Sequence, residues 1–204
     1  VTKHNFKVKK ADQLVPTVRK AFALARHGRP GPVLVDVPRD LFQMDVDYAP
    51  QGVEPEHHGR PDADCLICAA EAADEIVRAK KPVAIVGGGV ISAGATKEVI
   101  AFVEKYHLPV VHTLMGLGAI PRSHPQSLGF AGMHGEKAAN PAIAAADLVI
   151  AIGSRFGDRQ TGNLDKYTEG TKFIHIDIDP AEIDKNVAHS LGLAGDMKTI
   201  LALL

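Results

Sequence analysis

The sequence has little cysteine, no excess of charge of one sign and no long hydrophobic run. Its two cysteines cannot build a disulfide framework, so we expect a reducing, cytoplasmic environment. The 23 Lys and Arg against 24 Asp and Glu leave a net charge of −1, which gives no electrostatic reason to expect nucleic acid or an anionic membrane as a partner. No apolar run approaches the roughly 20 residues that cross a bilayer, and no basic-then-apolar leader opens the chain.

The signature motifs of several enzyme classes are missing as well. The sequence contains no G-x-S-x-G elbow of a hydrolase and no H-E-x-x-H zinc motif, and no Gly-Lys-Ser/Thr follows a glycine-rich turn as in a P-loop. Cys65 and Cys68 form a C-x-x-C, but they lie in an amphipathic helical pattern, where free cysteine acts as a small core residue. We therefore predict no metal site, and we expect His112 and His175, which lie in predicted strands, to be structural.

Helical and strand patterns alternate along the 204 residues. Apolar spacing predicts a helix over 11–27, which Gly28 ends, and a β-branched run predicts a strand over 33–37. A stretch rich in Pro, Gly and His, 45–63, has no apolar period and is predicted to be a linker. The segments predicted beyond it are a helix with apolar positions from Leu66 to Val77, helices over 96–106 and 137–145, a final helix from Asp196, and strands over 83–86, 109–112, 148–152 and 172–177.

This alternation predicts an α/β fold, a doubly wound parallel sheet of the Rossmann-like kind over 64–204 with helices on both faces. Residues 1–44 are interpreted as the end of a separate, partial α/β segment whose earlier strands are missing. The first residue is not Met, and the last four, 201–204, are apolar with no helix stop after them. We therefore expect the chain to be a piece of a longer protein, with the terminal leucines exposed.

Ligands of such a sheet bind beyond the carboxyl ends of the strands, and four predicted strand ends carry suitable residues. Glycines at 87–89 allow close backbone approach, and a second glycine-containing loop over 113–118 follows the next strand. The 153–159 segment holds two arginines that can fork onto phosphate, and Asp177 can accept hydrogen bonds from ribose. Each feature also has a plainer interpretation. The glycines could form a tight turn, the arginines could be surface charges, and Asp179, which follows Asp177 and precedes Pro180, could cap the next helix. Their convergence at one sheet edge predicts a nucleotide-like ligand.

Longer motifs resemble a known family. Thr2 to Asn5 and the run G-R-P-G-P-V-L-V-D-V-P over 28–38 are similar to the end of the pyrimidine-binding domain of acetolactate synthase catalytic subunits. The runs L-M-G-L-G over 114–118, G-M-H-G over 132–135, the 153–159 segment and H-I-D-I-D-P-A-E-I over 175–183 resemble the middle domain of the same enzymes. The matching motifs follow the family's order over essentially the whole chain.

The resemblance implies FAD in the middle domain, without a redox part in the reaction, and thiamine diphosphate with Mg²⁺ in the full-length parent. The implied reaction is a carboligation in branched-chain amino acid biosynthesis that joins two 2-oxoacids, pyruvate first, with loss of CO2. The implied partners are the remaining domains of the parent, a second copy in a homodimer or homotetramer, and a regulatory subunit. The family's activating glutamate would precede Val1 and its Gly-Asp-Gly metal motif would follow Leu204, so we expect no catalytic residue here and no activity of this chain alone.

The resemblance also implies roles for particular residues. The expected substrate contacts are Arg159, Asp158, Met133 and Arg39. The expected cofactor-binding residues are Arg29, Gly87, Gly88, Gly89, Thr113, Leu114, Met115, Gly132, Met133, His134, Gly153, Arg155, Arg159, Asp177, Ile178, Gly195 and Asp196.

Three positions depart from the family's usual pattern. Arg39 stands where lysine is usual, Gly157 where an aspartate is usual, and Ser154 where an apolar residue is usual. Two alternatives therefore stay open: the middle domain of a thiamine-dependent 2-oxoacid decarboxylase or acyl-CoA lyase, which would hold ADP, CoA or nothing, and a stand-alone nucleotide-binding module.

Overall fold

The computed structural model describes residues 1–50, 63–188 and 190–204, with the side chains of 63–65 left out. The chain divides into two compact units, Val1–His58 and Gly59–Leu204. Most of the predicted linker, 45–63, lies outside the described residues. Each unit is described by itself.

The first unit is a small βαβ arrangement. Strand β1, His4–Lys7, pairs in parallel with strand β2, Val33–Asp36, and helix α1, Leu14–Arg26, connects them. Short 3-10 helices, Ala11–Gln13 and Arg39–Gln43, precede α1 and follow β2. Gly28 has φ +56° and ends the helical segment, as predicted. Strand β1 was not predicted, because its sequence HNFK is too short and too polar to be recognised by its pattern.

The second unit contains a six-stranded parallel sheet. Its strands are β3, Pro82–Val86; β4, Val110–His112; β5, Ser127–Phe130; β6, Leu148–Ile152; β7, Lys172–Asp177; and β8, Leu191–Ala194. They lie in the order β5-β4-β3-β6-β7-β8, and every neighbouring pair is parallel. The strand order reverses between β3 and β6, as in doubly wound dinucleotide-binding folds. The predicted fold class is confirmed.

Helices cover both faces of this sheet. They are α2, Ala63–Arg78; α3, Gly88–Ala93; α4, Thr96–Lys105; α5, Ala139–Ala144; α6, Asp158–Thr161; α7, Leu164–Thr168; and α8, Met197–Leu203. Helices α2, α3, α4 and α8 contribute to the core on one face, and α5 contributes to the core on the other. Because both faces are covered, the central strands are nearly all apolar, and all five residues of β6 are buried. Within the described residues, no helix is both long and apolar enough to cross a membrane.

Strands β5 and β8 were not predicted. Each has only four residues and contains a glycine, Gly129 with φ +90° in β5 and Gly192 in β8. These glycines interrupt the apolar runs, and the register between β4 and β5 also shifts. The two strands bring the segments after Phe130 and Ala194 to the carboxyl edge of the sheet, where four further segments already lie.

Two predictions of exposure were wrong in part. In α2 the buried residues are Ala69, Ala72 and Ile76, whereas Leu66 and Val77, which were expected on the buried face, are 48% and 73% exposed. At the carboxyl terminus Leu201 and Leu204 are buried in the core, whereas Ala202 and Leu203 are exposed. The apolar end of the sequence is therefore largely the buried stripe of α8.

Candidate functional site

The loops after β3 and β6 touch each other where the strand order reverses. The amide of Gly87 donates to Ile152 O at 2.9 Å and that of Gly89 donates to Gly153 O at 3.1 Å. A Cβ atom on Gly87 would overlap the Gly153 carbonyl, and one on Gly89 would lie 2.7 Å from Gly153 Cα. Glycine is therefore required for this close approach. Because two of the three glycine amides are bonded within the protein, Gly87 and Gly89 join the loops to each other.

The loop after β4 lies against the end of β3. Thr113 N donates to Val86 O at 3.0 Å, and Thr113 Oγ1 accepts from the amide of Gly116 at 3.1 Å. A Cβ on Gly116 would overlap Val86 O, a constraint that the sequence motif did not reveal. The side chains of Leu114 and Met115 are 67% and 71% exposed, and Met115 Cβ lies beside Gly88. Two apolar side chains thus project from the carboxyl edge next to the glycine triplet.

The loop after β5 is joined to α6. Met133 N donates to Arg159 O at 2.9 Å, and a Cβ on Gly132, which has φ +129°, would lie 2.8 Å from the same oxygen. The Asn140 side chain accepts from Gly132 N and donates to Gly132 O, both at 3.0 Å. Sequence reasoning missed Asn140, whose only signal is its position before Pro141 at the start of a helix.

The structure brings Met133, Asp158 and Arg159 together beside one cavity, and their role as substrate contacts stays a prediction. The side chains of Asp158 and Arg159 are 91% and 81% exposed, and Arg159 Nε lies 3.9 Å from Asp158 Oδ2. An open cavity of about 420 Å³ beside them is lined by Met133, Asp158, Arg159, Lys166 and Tyr167, among others. Burial raises the pKa of the Tyr167 phenol well above its usual range.

Acidic residues near the ends of β7 and β8 have distinct partners. The Asp177 carboxylate, 7% exposed, accepts from Asp179 N at 2.9 Å, and Gly195 N donates to Asp177 O at 2.9 Å. Asp179 accepts from Ala181 N at 3.0 Å and so caps the 3-10 helix Pro180–Glu182, the plainer interpretation of that residue. Asp196 caps α8 by accepting from the amide and hydroxyl of Thr199, each at 2.9 Å. Ile178, which lies between Asp177 and Asp179 in the sequence, is half-buried.

Four further predicted site residues remain, two in each unit. Arg155 and His134 are exposed. Arg29 and Arg39 belong to the first unit, where Arg29 is half-buried and Arg39 is exposed. Cofactor and substrate roles for these residues stay predictions.

The two strand histidines are buried and neutral. His112 Nδ1 lies 3.2 Å from Gly116 O and its Nε2 lies 3.2 Å from Ser127 Oγ, while His175 Nε2 lies 2.8 Å from Ser154 O. Burial lowers the pKa of both imidazoles, so both stay neutral near pH 7.

Among the described residues, no group of three or more His, Cys, Asp and Glu could hold a metal ion. Cys68 lies half-buried in α2 with a free thiol and packs against the core, as predicted. The side chain of Cys65 lies outside the described residues.

Comparisons with known proteins agree with this architecture. Residues 69–204 match the family model described as thiamine pyrophosphate enzyme, central domain. The chain is 45% identical over 206 residues to the acetolactate synthase large subunit of Corynebacterium glutamicum, covering 100% of this chain and 33% of that protein. It is 43% identical over 204 residues to the acetolactate synthase large subunit of Haemophilus influenzae, covering 98% of this chain and 36% of that protein.

A solved structure is similar in fold. The X-ray structure of a protein from Mycobacterium smegmatis, described as a thiamin diphosphate-dependent enzyme, has a TM-score of 0.80 and 28% identity, covering 98% of this chain and 38% of that one. The chain spans about a third of the length of the curated relatives that it matches. The chain belongs to the thiamine pyrophosphate enzyme family, and residues 69–204 correspond to that family's central domain.

Proposed function

We propose that this chain supplies the FAD-binding central domain of a thiamine-diphosphate-dependent carboligase of the acetolactate synthase type. The proposed reaction joins two 2-oxoacids, pyruvate first, with loss of one CO2. The observation that carries the proposal is the contact between the glycine loops after β3 and β6, at the reversal of strand order where doubly wound sheets bind dinucleotides. The curated relatives, named acetolactate synthase large subunits, support the choice of reaction.

The residues at the carboxyl edge fit FAD. The exposed guanidinium of Arg155 can bind phosphate oxygens with two parallel hydrogen bonds. The buried carboxylate of Asp177 lies at a strand end, where it can accept a hydrogen bond from a ribose hydroxyl. Leu114 and Met115 offer exposed apolar surface to a flavin ring. Because the amides of Gly87 and Gly89 are bonded within the protein, we propose that Arg155 contributes most of the attraction for the diphosphate.

We propose that Arg159 binds the carboxylate of the acceptor 2-oxoacid. Its backbone oxygen is held by the amide of Met133, whereas its guanidinium is 81% exposed and free to turn toward a ligand. Asp158 is too exposed, and too distant at 3.9 Å, to neutralise it strongly.

Thiamine diphosphate and Mg²⁺ are proposed to bind in parts of the parent protein that this chain does not include. When bound, thiamine diphosphate supplies the carbanion chemistry that decarboxylates the first 2-oxoacid. We further propose a homodimeric or homotetrameric parent with a regulatory subunit, because the curated relatives are named large subunits. The 204-residue chain with pyruvate, thiamine diphosphate and Mg²⁺ should then show no turnover.

A second candidate is a decarboxylase or lyase of the same family. The feature that leaves it open is Gly157, which stands where the resemblance leads one to expect an aspartate, and a Cβ there would meet no atom within 4 Å. The 153–159 loop thus lacks a carboxylate that the resemblance leads one to expect, although the space would admit one.

The ligand can be tested by thermal unfolding of the chain with FAD, ADP, NAD or CoA. At a concentration one hundred times its Kd, FAD should stabilise the chain by about 2.7 kcal/mol. The other ligands, each at that same concentration, should stabilise the chain less. Arg155→Gln should weaken the FAD effect. Arg78→Gln should not, because Arg78 ends α2, just before the amino end of β3, and pairs with Asp74 at the opposite edge. Protection by CoA alone would favour the lyase, and equal protection by all four would indicate a generic nucleotide module.

A further inference from the structure

His175 makes a buried contact with the loop that carries the site arginines. It lies in β7, is 1% exposed, and its Nε2 is 2.8 Å from the carbonyl oxygen of Ser154. A carbonyl oxygen can only accept, so Nε2 carries the hydrogen and donates it. The other ring nitrogen, Nδ1, is buried and has no hydrogen-bond partner among the described residues. The single bond to Ser154 O therefore defines the tautomer of His175.

The same imidazole also supports Phe156. Phe156 has φ +50°, a left-handed backbone that non-glycine residues avoid, and its side chain is 2% exposed. Its ring meets His175 edge-on, with centroids 5.1 Å apart, and also contacts Phe173 at 5.7 Å and Tyr167 at 6.3 Å. Such backbone strain persists only where the surroundings hold it, and here the aromatic cluster does so.

Ser154 and Phe156 are the two neighbours of Arg155 in the chain. The Ser154 hydroxyl donates to Gln160 Oε1 at 3.4 Å, and the Arg155 carbonyl accepts from Asn186 Nδ2 at 2.8 Å. Gln160 lies in α6, directly after the loop in the sequence, and Asn186 is exposed. The bond from His175 is a side-chain bond from β7 to the loop, and it adds to the backbone bond from Gly153 N to Ile176 O in the same strand at 2.8 Å.

The surroundings of this loop are incompletely bonded. Of the four buried side-chain atoms without a hydrogen-bond partner among the described residues, three are Gln160 Nε2, Tyr167 Oη and His175 Nδ1, in or beneath the segment from β6 to β7. Loss of the His175 bond should therefore loosen the segment around Ser154 and Phe156, while the backbone bonds of Gly153 and Arg159 hold the two ends of the loop.

We propose that His175 is a positioning residue of the nucleotide site, which acts through Ser154 and Phe156 to hold the 153–159 loop in the conformation that presents Arg155 and Arg159. The role in ligand binding rests on the proposed function. The role in loop conformation does not, and it can be measured without any ligand.

Hydrogen–deuterium exchange of the ligand-free chain tests the conformational role. In His175→Phe, which keeps a ring but loses the donor, amides of 155–160 should exchange about tenfold faster, while those of β3 and β6 stay unchanged. His175→Gln should restore slow exchange, because its Nε2 can donate to Ser154 O. The matched control is His112→Phe, the same change at a histidine equally buried in the sheet, which should speed exchange near Gly116 and leave 155–160 unaffected.

Three outcomes would overturn the positioning role: unchanged exchange at 155–160 in His175→Phe, an equal rise throughout the sheet, or no rescue by His175→Gln. A calorimetric titration with FAD supplies the second measurement. If the original chain binds FAD, His175→Phe should weaken Kd by about tenfold and His175→Gln should recover most of the affinity. If the original chain does not bind FAD but the exchange pattern is as expected, the proposed ligand is wrong and the positioning of the loop by His175 stands.

Discussion

Replacing Gly153 with alanine should destabilise the chain strongly, because this residue combines a left-handed backbone with close contacts. Gly153 has φ +59°, and a Cβ there would lie 2.8 Å from Gly89 Cα and 2.8 Å from Met197 Cε. A left-handed alanine costs about 1–2 kcal/mol. Forcing a methyl group against backbone that cannot move freely adds about 1–3 kcal/mol. The free energy of unfolding should therefore fall by about 2–5 kcal/mol in Gly153→Ala.

The matched control is Gly157→Ala in the same loop. A Cβ on Gly157 would meet no atom within 4 Å, and its φ is not in the left-handed region. Its unfolding free energy should change by less than about 0.5 kcal/mol. Thermal unfolding followed by circular dichroism separates the two variants, since each kcal/mol corresponds to about 2–4 °C in Tm for a chain of this size. Equal Tm values for the two variants would refute the claim that glycine is required where the β3 and β6 loops meet.

Three further perturbations test other parts of the structure. Burial lowers the pKa of His112 and His175 in the folded chain below the ordinary value of 6.5. Below that pH the unfolded chain therefore binds more protons than the folded chain. Stability should be full above about pH 6.5 and fall on acidification by up to about 2.7 kcal/mol per pH unit, and a flat urea midpoint from pH 7 to 5.5 would contradict this. Asp147 accepts from the amides of Lys80 and Lys81 at 2.7 and 2.8 Å, so Asp147→Ala should lower the urea-unfolding free energy by about 1–2 kcal/mol, and an unchanged midpoint would count against that linkage. In the full-length parent, Arg159→Lys should lower kcat/KM for the acceptor 2-oxoacid by roughly ten- to a hundredfold, and unchanged kinetics would remove Arg159 from the substrate site.

The fold was predictable where burial leaves a strong pattern. Strands β3 and β6 lie in the middle of a sheet that is covered on both faces, so they are continuous apolar runs flanked by helices. Strand β7, beside them, still shows a β-branched and aromatic pattern around the buried His175. Strands β1, β5 and β8 were missed because they are short and contain polar residues or glycine, and their pairing depends on neighbours distant in sequence. The apolar period of α2 did not reveal which apolar residues face the sheet, because the small Ala69 and Ala72 are buried in the core whereas the larger Leu66 and Val77 are exposed to solvent.

The candidate site was predictable as a set of strand-end loops, but the contacts within it were not. Parallel strands bring their carboxyl ends to one edge, so the glycines at 87–89 and the 153–159 loop were expected there. The order of the strands in the sheet cannot be predicted from the sequence pattern. The contact between Gly89 and Gly153, which depends on β3 and β6 being neighbours, was therefore not predictable. The hydrogen bond from His175 to Ser154 spans 21 residues and depends on the same strand order, as do the contacts of Gly132 with Arg159.

The central proposal, a carboligase of the acetolactate synthase type, is tested most directly by the products that the full-length protein makes from pyruvate with thiamine diphosphate, Mg²⁺ and FAD. We expect acetolactate, with one CO2 released for every two pyruvates consumed and little free acetaldehyde. Acetaldehyde as the main product, with one CO2 released for each pyruvate, would contradict the proposed carboligation and identify a decarboxylase instead.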